Sequence, residues 1–266
     1  MVKGLYTAYT GMINEQKRLD VLSNNLANAD TNGYKKEGTT SQTFADTLAI
    51  KIRDSSDYYL PKGLGDISLG VHVGETYTDY SQGNFRVTDN KYDVALDGNG
   101  FFAISYTNKN NETSVKYTRD GAFTVNTEGY LVTKDGDFVL NQNGAMNRDG
   151  GAGSYIRLNP NLDFKIDQFG RIYQNEQFVA QLGVVDVADY NYIEKYGENL
   201  YDLANGAQLT ASNAKVEQGV LEASNVNVVK EMVEMITITR AYEAGQKMIQ
   251  TVDTMLDKAA NQVGKV

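Results

Sequence analysis

The sequence predicts an α+β chain in which N- and C-terminal helices pair as a coiled-coil domain and an all-β domain is inserted between them. Three observations lead there. An apolar residue recurs at every seventh position near the C-terminus, the same happens near the N-terminus, and the roughly 190 residues between them change to a period of two.

At the N-terminus, Leu5, Met12, Leu19 and Leu26 repeat every seven residues, flanked by Ala8, Tyr9, Ile13 and Leu22. Glu15, Lys17, Arg18 and Asp20 take the wet side, so the stretch reads as an amphipathic helix without a core of its own. Gly4 and Gly11 each lower its helix propensity by up to about 1 kcal/mol. The turn formers Asn28, Asp30, Thr31 and Asn32 ahead of Gly33 stop the helix, which places it within residues 1–34. Residues 35–69 read as an extended or irregular connecting segment. Phe44, Leu48 and Ile52 permit a short helix there, and the stretch from Pro61 to Gly65 reads as a loop.

From Leu69 the period becomes two, as in Val71-His72-Val73 and Phe85-Arg86-Val87, followed by Val94-Ala95-Leu96 and Phe101 to Ile104. Residues 70–200 are therefore expected to form the all-β domain, in a chain that as a whole is rich in Tyr (18) and Gly (25) and poor in Pro (2). An internal echo relates Phe123–Leu131 to Phe164–Ile172: each reads as a strand, a turn closed by glycine, and a return strand. Asp120-Gly121, Asp135-Gly136, Asn143-Gly144 and Asp149-Gly150 mark further turns. The nearly continuous apolar run Val179–Val187 predicts one central buried strand.

Residues 201–224 return the chain to a C-terminal helix at 225–266. Val228, Met235, Tyr242, Ile249, Leu256 and Val263 repeat every seven, with Ile238, Val252, Ala259 and Val266 three places after four of them. Asn225 and Asn227 are N-cap types, and Glu231 and Glu234 put negative charge where the helix dipole favours it. Such a helix would be about 50 Å long, more than one small domain covers, so its stripe calls for a long partner.

Composition narrows the function. A net charge of -9 argues against nucleic acid, whose phosphates demand a basic face. No run of 18 apolar residues exists to span a membrane, and the mixed polar N-terminus lacks the continuous apolar core of a Sec signal peptide. The absence of cysteine removes disulfides, thiol nucleophiles and thiolate metal sites. His72 is the sole histidine, which rules out a multi-histidine metal site and leaves it an ordinary strand residue. Asp135-Gly136-Asp137 lacks the spacing of a calcium loop, and no particular carboxylate pair points to glycosidase chemistry. No catalytic residue, metal ligand or cofactor is expected, and the chain reads as a non-enzyme. The reading from a different class is a secreted enzyme or carbohydrate-binding module built on the β domain.

The ends carry a resemblance. Gly11-Met12, Arg18-Leu19-Asp20, the run Ser23 to Asn28, and Thr31-Asn32-Gly33-Tyr34-Lys35 are similar to the N-terminal signature of bacterial flagellar rod and hook proteins. Leu221 to Val228, Glu231-Met232-Val233, Met235-Ile236 and Arg240-Ala241-Tyr242-Glu243 resemble that family's C-terminal signature, and Asp93–Phe102 with Tyr117–Thr124 resemble its β domain. Length and the intact Tyr117–Leu131 segment resemble the distal-rod branch most. The proximal-rod branch is the alternative, and the hook branch, with its larger middle, comes third. The resemblance implies a subunit of a hollow helical drive shaft that passes torque from motor to hook and export substrates through its lumen, with the terminal helices inward and the β domain outward. It also implies type III export without a cleaved signal and an extracytoplasmic place in the basal body, in periplasm or cell wall. The partners it implies are copies of itself, other rod proteins, the hook protein, the export apparatus and, where present, bushing rings, with no nucleic acid and no membrane insertion. The subunit interface would use Leu5, Met12, Leu19, Leu22, Asn24, Asn25, Leu26 and Asn28 from the first helix, and Val228, Met232, Met235, Ile238, Tyr242, Ile249, Val252 and Leu256 from the last.

Overall fold

A computed structural model describes residues 2–44, 47–50, 63–68, 70–110, 112–160, 162–197 and 199–263. The chain is α+β, with helices α1 (Val2–Ala27), α2 (Gln142–Asn147) and α3 (Val228–Lys258) among the described residues. It divides into two compact units. One gathers Met1–Ala27, Lys36–Asp79 and Val226–Val266, and the other Asn28–Lys35 and Tyr80–Asn225.

The helical unit is built on α1 and α3, which lie against each other in opposite directions. Arg18 reaches Glu234 at 3.2 Å, while further toward the start of α1 Met12 nests on Gly245, where an added Cβ would come within 2.6 Å of the Met12 Cγ. Apart from Glu234, the least exposed positions of α3 are Glu231, Met235, Ile238, Tyr242, Gly245, Ile249 and Val252, separated by alternating steps of four and three. Asn227 caps α3 by accepting a hydrogen bond from the Lys230 N–H at 3.1 Å, and Glu231 occupies the first turn.

A second flank of α1 meets an antiparallel ribbon, Glu37–Thr43 against Val71–Thr78. The contact is polar. Asn25, 1% exposed, uses its amide twice: Nδ2 donates to the Glu37 carbonyl at 2.8 Å, and Oδ1 accepts from the Glu37 N–H at 2.9 Å. Ser41 Oγ donates to Asn14 Oδ1 at 3.2 Å. A second ribbon pairs Thr47–Ile50 with Gly63–Ile67. Leu48, in the stretch read as permitting a short helix, thus lies in a ladder. Ile52, Pro61 and Lys62 lie outside the described residues, as do Leu69 and Val266.

The β unit centres on the strand Phe101–Thr107, which pairs with Thr113–Thr118, Phe138–Val139 and Val184–Val187 in a nine-stranded sheet. It is buried on both sides. Phe102 packs into a cluster with Phe123, Val139, Ile156, Ile172 and Leu182, while Phe101 and Ala103 join Tyr117, Leu140, Val185 and Tyr201. Double burial explains the unbroken apolar run of this strand. The echoed segments are hairpins of one geometry: Gly129 and Gly170 take φ of 86° and 72°, and each N–H closes its turn on Asn126 or Asp167.

Two expectations are corrected here. The run Val179–Val187 is two strands, Gln177–Gln181 in a separate three-stranded sheet and Val184–Val187 in the large one. The break at Gly183 is imposed by packing, because an added Cβ would lie 2.7 Å from the Leu140 carbonyl oxygen and 2.8 Å from Ala145 Cβ. Asn143-Gly144 is no turn but lies inside α2, whose N-cap Asn141 accepts from the Gly144 N–H at 2.8 Å. Residues 28–35 and 201–225 belong to the β unit, whereas 70–79 belong to the helical one.

A buried charge cluster holds the margin of the β unit. Lys35 Nζ donates to Glu222 Oε1 at 2.5 Å and to the Ser81 carbonyl at 2.8 Å, and Arg119 donates to Glu222 Oε2 at 3.2 Å and to the Gly98 carbonyl at 2.9 Å. The Gly83 N–H adds a bond to Glu222 Oε1 at 2.9 Å. Lys35, Glu222 and Arg119 are all nearly inaccessible to water. The backbones beside them join as well, Gly33 N–H to the Glu222 carbonyl at 2.8 Å and Asn225 N–H to that of Tyr34 at 3.4 Å.

Two substitutions test this packing in urea titrations followed by tyrosine near-ultraviolet circular dichroism. Lys35→Met removes the ammonium donor from Glu222 Oε1 and from the Ser81 carbonyl while Arg119 stays on Oε2, and is expected to cost about 1–3 kcal/mol, the range for taking a partner from a buried polar group. Gly183→Ala is expected to cost about 1–3 kcal/mol, the range for overpacking, because its close neighbours are backbone and a core alanine. An unchanged midpoint for either would show that the local structure yields more easily than its contacts imply.

Candidate assembly surface

The seam between α1 and α3 does not account for all the apolar surface of these helices. A second stripe runs along the start of α3, where Val229, Met232, Val233 and Ile236 are exposed, Val229 by 71%. Their spacing of three, four and seven residues puts them on one helical face. Along α1, Tyr6, Tyr9 and Ile13 form a comparable exposed face. Further along α3, Met248, Met255 and Leu256 are exposed as well, and methionine's flexible thioether suits an adaptable contact. An open groove of about 780 Å³ follows the first stripe, lined by Glu15 and Arg18 of α1 and by Val229, Val233, Thr237 and Ala241 of α3. Contiguous exposed apolar faces of this kind mark interaction surfaces.

The positions named from the heptads fall into two groups. Leu22, Asn25 and Ile238 are buried within the unit that contains them, and Leu5, Met12, Leu19, Leu26, Met235, Tyr242, Ile249 and Val252 are partly buried. Asn28 is partly buried and its Oδ1 accepts from Thr31 Oγ1 at 3.1 Å. Asn24, Val228, Met232 and Leu256 are exposed. The second stripe, Val229, Val233 and Ile236, escaped the heptad reading because the seam already explained the helix. Its signal was present as a parallel i, i+4, i+7 pattern displaced by one position.

The β unit offers a different surface. A cleft of about 350 Å³ includes Thr31, Tyr106, Asp120, Asp135, Asp137 and Asn199 among its lining residues. Burial pushes the Asp120 carboxyl above its usual range, although the Ala122 N–H it accepts at 3.0 Å opposes the shift, and burial does the same at Asp137. Both carboxyls are thus less acidic folded than unfolded, so their contribution to stability declines as pH rises from the ordinary carboxylate range through the raised values. Tyr117 and Tyr190 are pushed up to about 12, chiefly by burial, so neither is an anionic base at neutral pH. His72 is exposed on its strand with its ring 4.8 Å from that of Phe44. Among the described residues, no three His, Cys, Asp or Glu side chains converge in a way that could hold a metal ion.

Residues 5–35 match the family described as flagella basal body rod protein, residues 95–174 the flagellar hook protein FlgE/F/G D1 domain, and residues 217–263 the flagellar basal body rod FlgEFG protein C-terminal family. The flagellar basal-body rod protein FlgG of Buchnera aphidicola subsp. Schizaphis graminum is 34% identical, with 97% of this chain and 98% of that protein covered. The flagellar hook-basal body complex protein FlhO of Bacillus subtilis is 33% identical over the whole of both chains, and the flagellar basal-body rod protein FlgF of Caulobacter vibrioides 31% identical over the whole of both. With relatives of this similarity along its full length, the chain belongs to the family of bacterial flagellar basal-body rod proteins, in its FlgG/FlgF class.

Proposed function

We propose that this rod protein is a subunit of the distal rod, polymerising helically through its terminal helices into a hollow shaft that carries torque from motor to hook and passes export substrates. The observation that carries the reading is the second apolar stripe. α1 and α3 already cover one face of each other, yet Val229, Met232, Val233 and Ile236 on one helix and Tyr6, Tyr9 and Ile13 on the other stand in water. A stripe on one helix that fits a different stripe on a neighbour makes a heterologous contact, and a heterologous contact whose rotation does not close produces a filament. The alternating steps of four and three along α3 favour a coiled-coil pairing with α1 inside each subunit. The distal position is favoured by the higher identity to FlgG, 34% against 31% for FlgF. Neighbouring rod proteins, the hook protein and the type III export apparatus are the partners of this reading. Its place is extracytoplasmic, within the basal body.

Val233→Asp and Tyr9→Asp test the reading. Both positions are exposed, so the substitutions leave the subunit folded, and on assembly each would bury an unpaired charge at a cost of several kcal/mol. Electron microscopy at high protein concentration should show tubes for the wild type and none for either variant, with melting curves unchanged. Tubes of normal yield from both variants would remove the exposed stripes from the assembly contact.

A further inference from the structure

The β unit has a second cleft, away from the acidic one, whose chemistry assembly does not explain. It encloses about 340 Å³ and is lined by the hairpin turn at Gln168-Phe169, the strand residues Arg171 and Gln181, and the segment Asn213–Lys215. The volume falls in the range of small-ligand sites. Its floor is apolar, from Leu182, Val184 and Val216.

Three features narrow what would fit. First, Phe169 is 68% exposed at the rim, and the Arg171 guanidinium lies 5.6 Å from its ring centroid. The guanidinium covers part of the ring and the rest is open to an apolar face of a ligand. Second, side-chain amides surround the opening. Gln181 Nε2 is engaged by the Phe169 carbonyl at 3.0 Å, which holds the turn, and its oxygen remains an acceptor. Gln142 is held flat along Val184, donating to its carbonyl at 3.3 Å and accepting from its N–H at 3.0 Å, so it serves as wall. Gln168 and Asn213 are exposed at the lip, each able to donate and to accept. Third, the lining contains Arg171 and Lys215 and no carboxylate, in a chain of net charge -9.

We propose that this cleft binds a sugar chain bearing a carboxylate, with Phe169 against the C–H face of one ring, Gln168 and Asn213 on hydroxyl or acetamido groups, and Lys215 and Arg171 on the carboxylate. A ring's apolar face suits a rim aromatic, and amides match groups that both donate and accept. An acidic peptide would satisfy the two cations and, through its backbone, the amides, but it presents no ring face to the exposed Phe169, so the sugar chain is the better fit. The proposal is independent of how subunits assemble.

The test uses the full chain, titrated in a calorimeter with a peptide-free tetrasaccharide of alternating N-acetylglucosamine and N-acetylmuramic acid. Chitotetraose serves as the neutral counterpart and tetraglutamate as the acidic peptide. Saturable binding of the acidic tetrasaccharide is expected, at least tenfold tighter than chitotetraose or tetraglutamate. Phe169→Ala and Lys215→Glu are each expected to weaken it at least tenfold. Both residues are exposed, and unchanged circular dichroism verifies that the variants fold. No saturable binding of the tetrasaccharide, equal binding of chitotetraose, tighter binding of tetraglutamate, or variants that bind like the wild type would each overturn the proposal.

Discussion

The buried carboxylate of Glu222 is the contact on which the β unit most depends. The chain crosses between units after Ala27, after Lys35, after Asp79 and after Asn225. Glu222 holds a group close to the last three: Lys35 beside the first of them, the Gly83 N–H beyond the second, and its own strand before the third. Lys35 doubles the second link by donating to the Ser81 carbonyl. A fully buried ion group of this kind is weak evidence of net stability, because desolvation offsets much of the attraction. Its value is geometric. Loss of Glu222 strands Lys35 and Arg119 in a low-dielectric site, so the chain segments that carry them hold one arrangement or lose several kcal/mol on leaving it.

Much of this arrangement was legible in the sequence, and the limits have physical causes. Heptads found α1 and α3 because their shared stripe is apolar and nearly uninterrupted. The repeated glycine turn found two hairpins, because Gly129 and Gly170 meet the same positive-φ demand. Val179–Val187 misled because a glycine in an apolar run looks harmless until the Leu140 backbone is seen 2.7 Å from where its Cβ would be. The ribbon against α1 was missed because it is held by Asn14 and Asn25, and a polar contact has no periodicity to read. Nor does any local pattern announce that Lys35, Arg119 and Glu222 meet, since they are far apart in sequence.

Energetics explain why the exposed stripes call for many subunits rather than a pair. Burying a large apolar side chain is worth about 1.5–3 kcal/mol, so the four residues exposed at the start of α3 could contribute roughly 6–12 kcal/mol if fully covered. Association costs an estimated 4–15 kcal/mol or more in lost freedom. One stripe against one neighbour therefore comes close to balance. A subunit that makes such contacts on several sides at once gains the second and third without repeating the whole entropic cost. Growth of an existing filament is then favoured over formation of a free dimer, which is the behaviour a rod built in place requires.

The stagger of the two helices adds a direction to that growth. Arg18 meets Glu234 and Met12 meets Gly245, so each step toward the start of α1 is a step toward the end of α3. Continuing that register brings Leu5 level with about Val252, given equal rise in both helices. Partial burial of α3 does fade at Val252, and Met255 and Leu256 beyond it are exposed. Leu256 continues the same heptad as Tyr242 and Ile249 and is itself exposed. In the proposed assembly a helix from an adjacent subunit would cover it. In that proposal such a contact would use one end of α3 and the Val229 stripe the other, and two different ends engaged by different neighbours would give a filament its polarity.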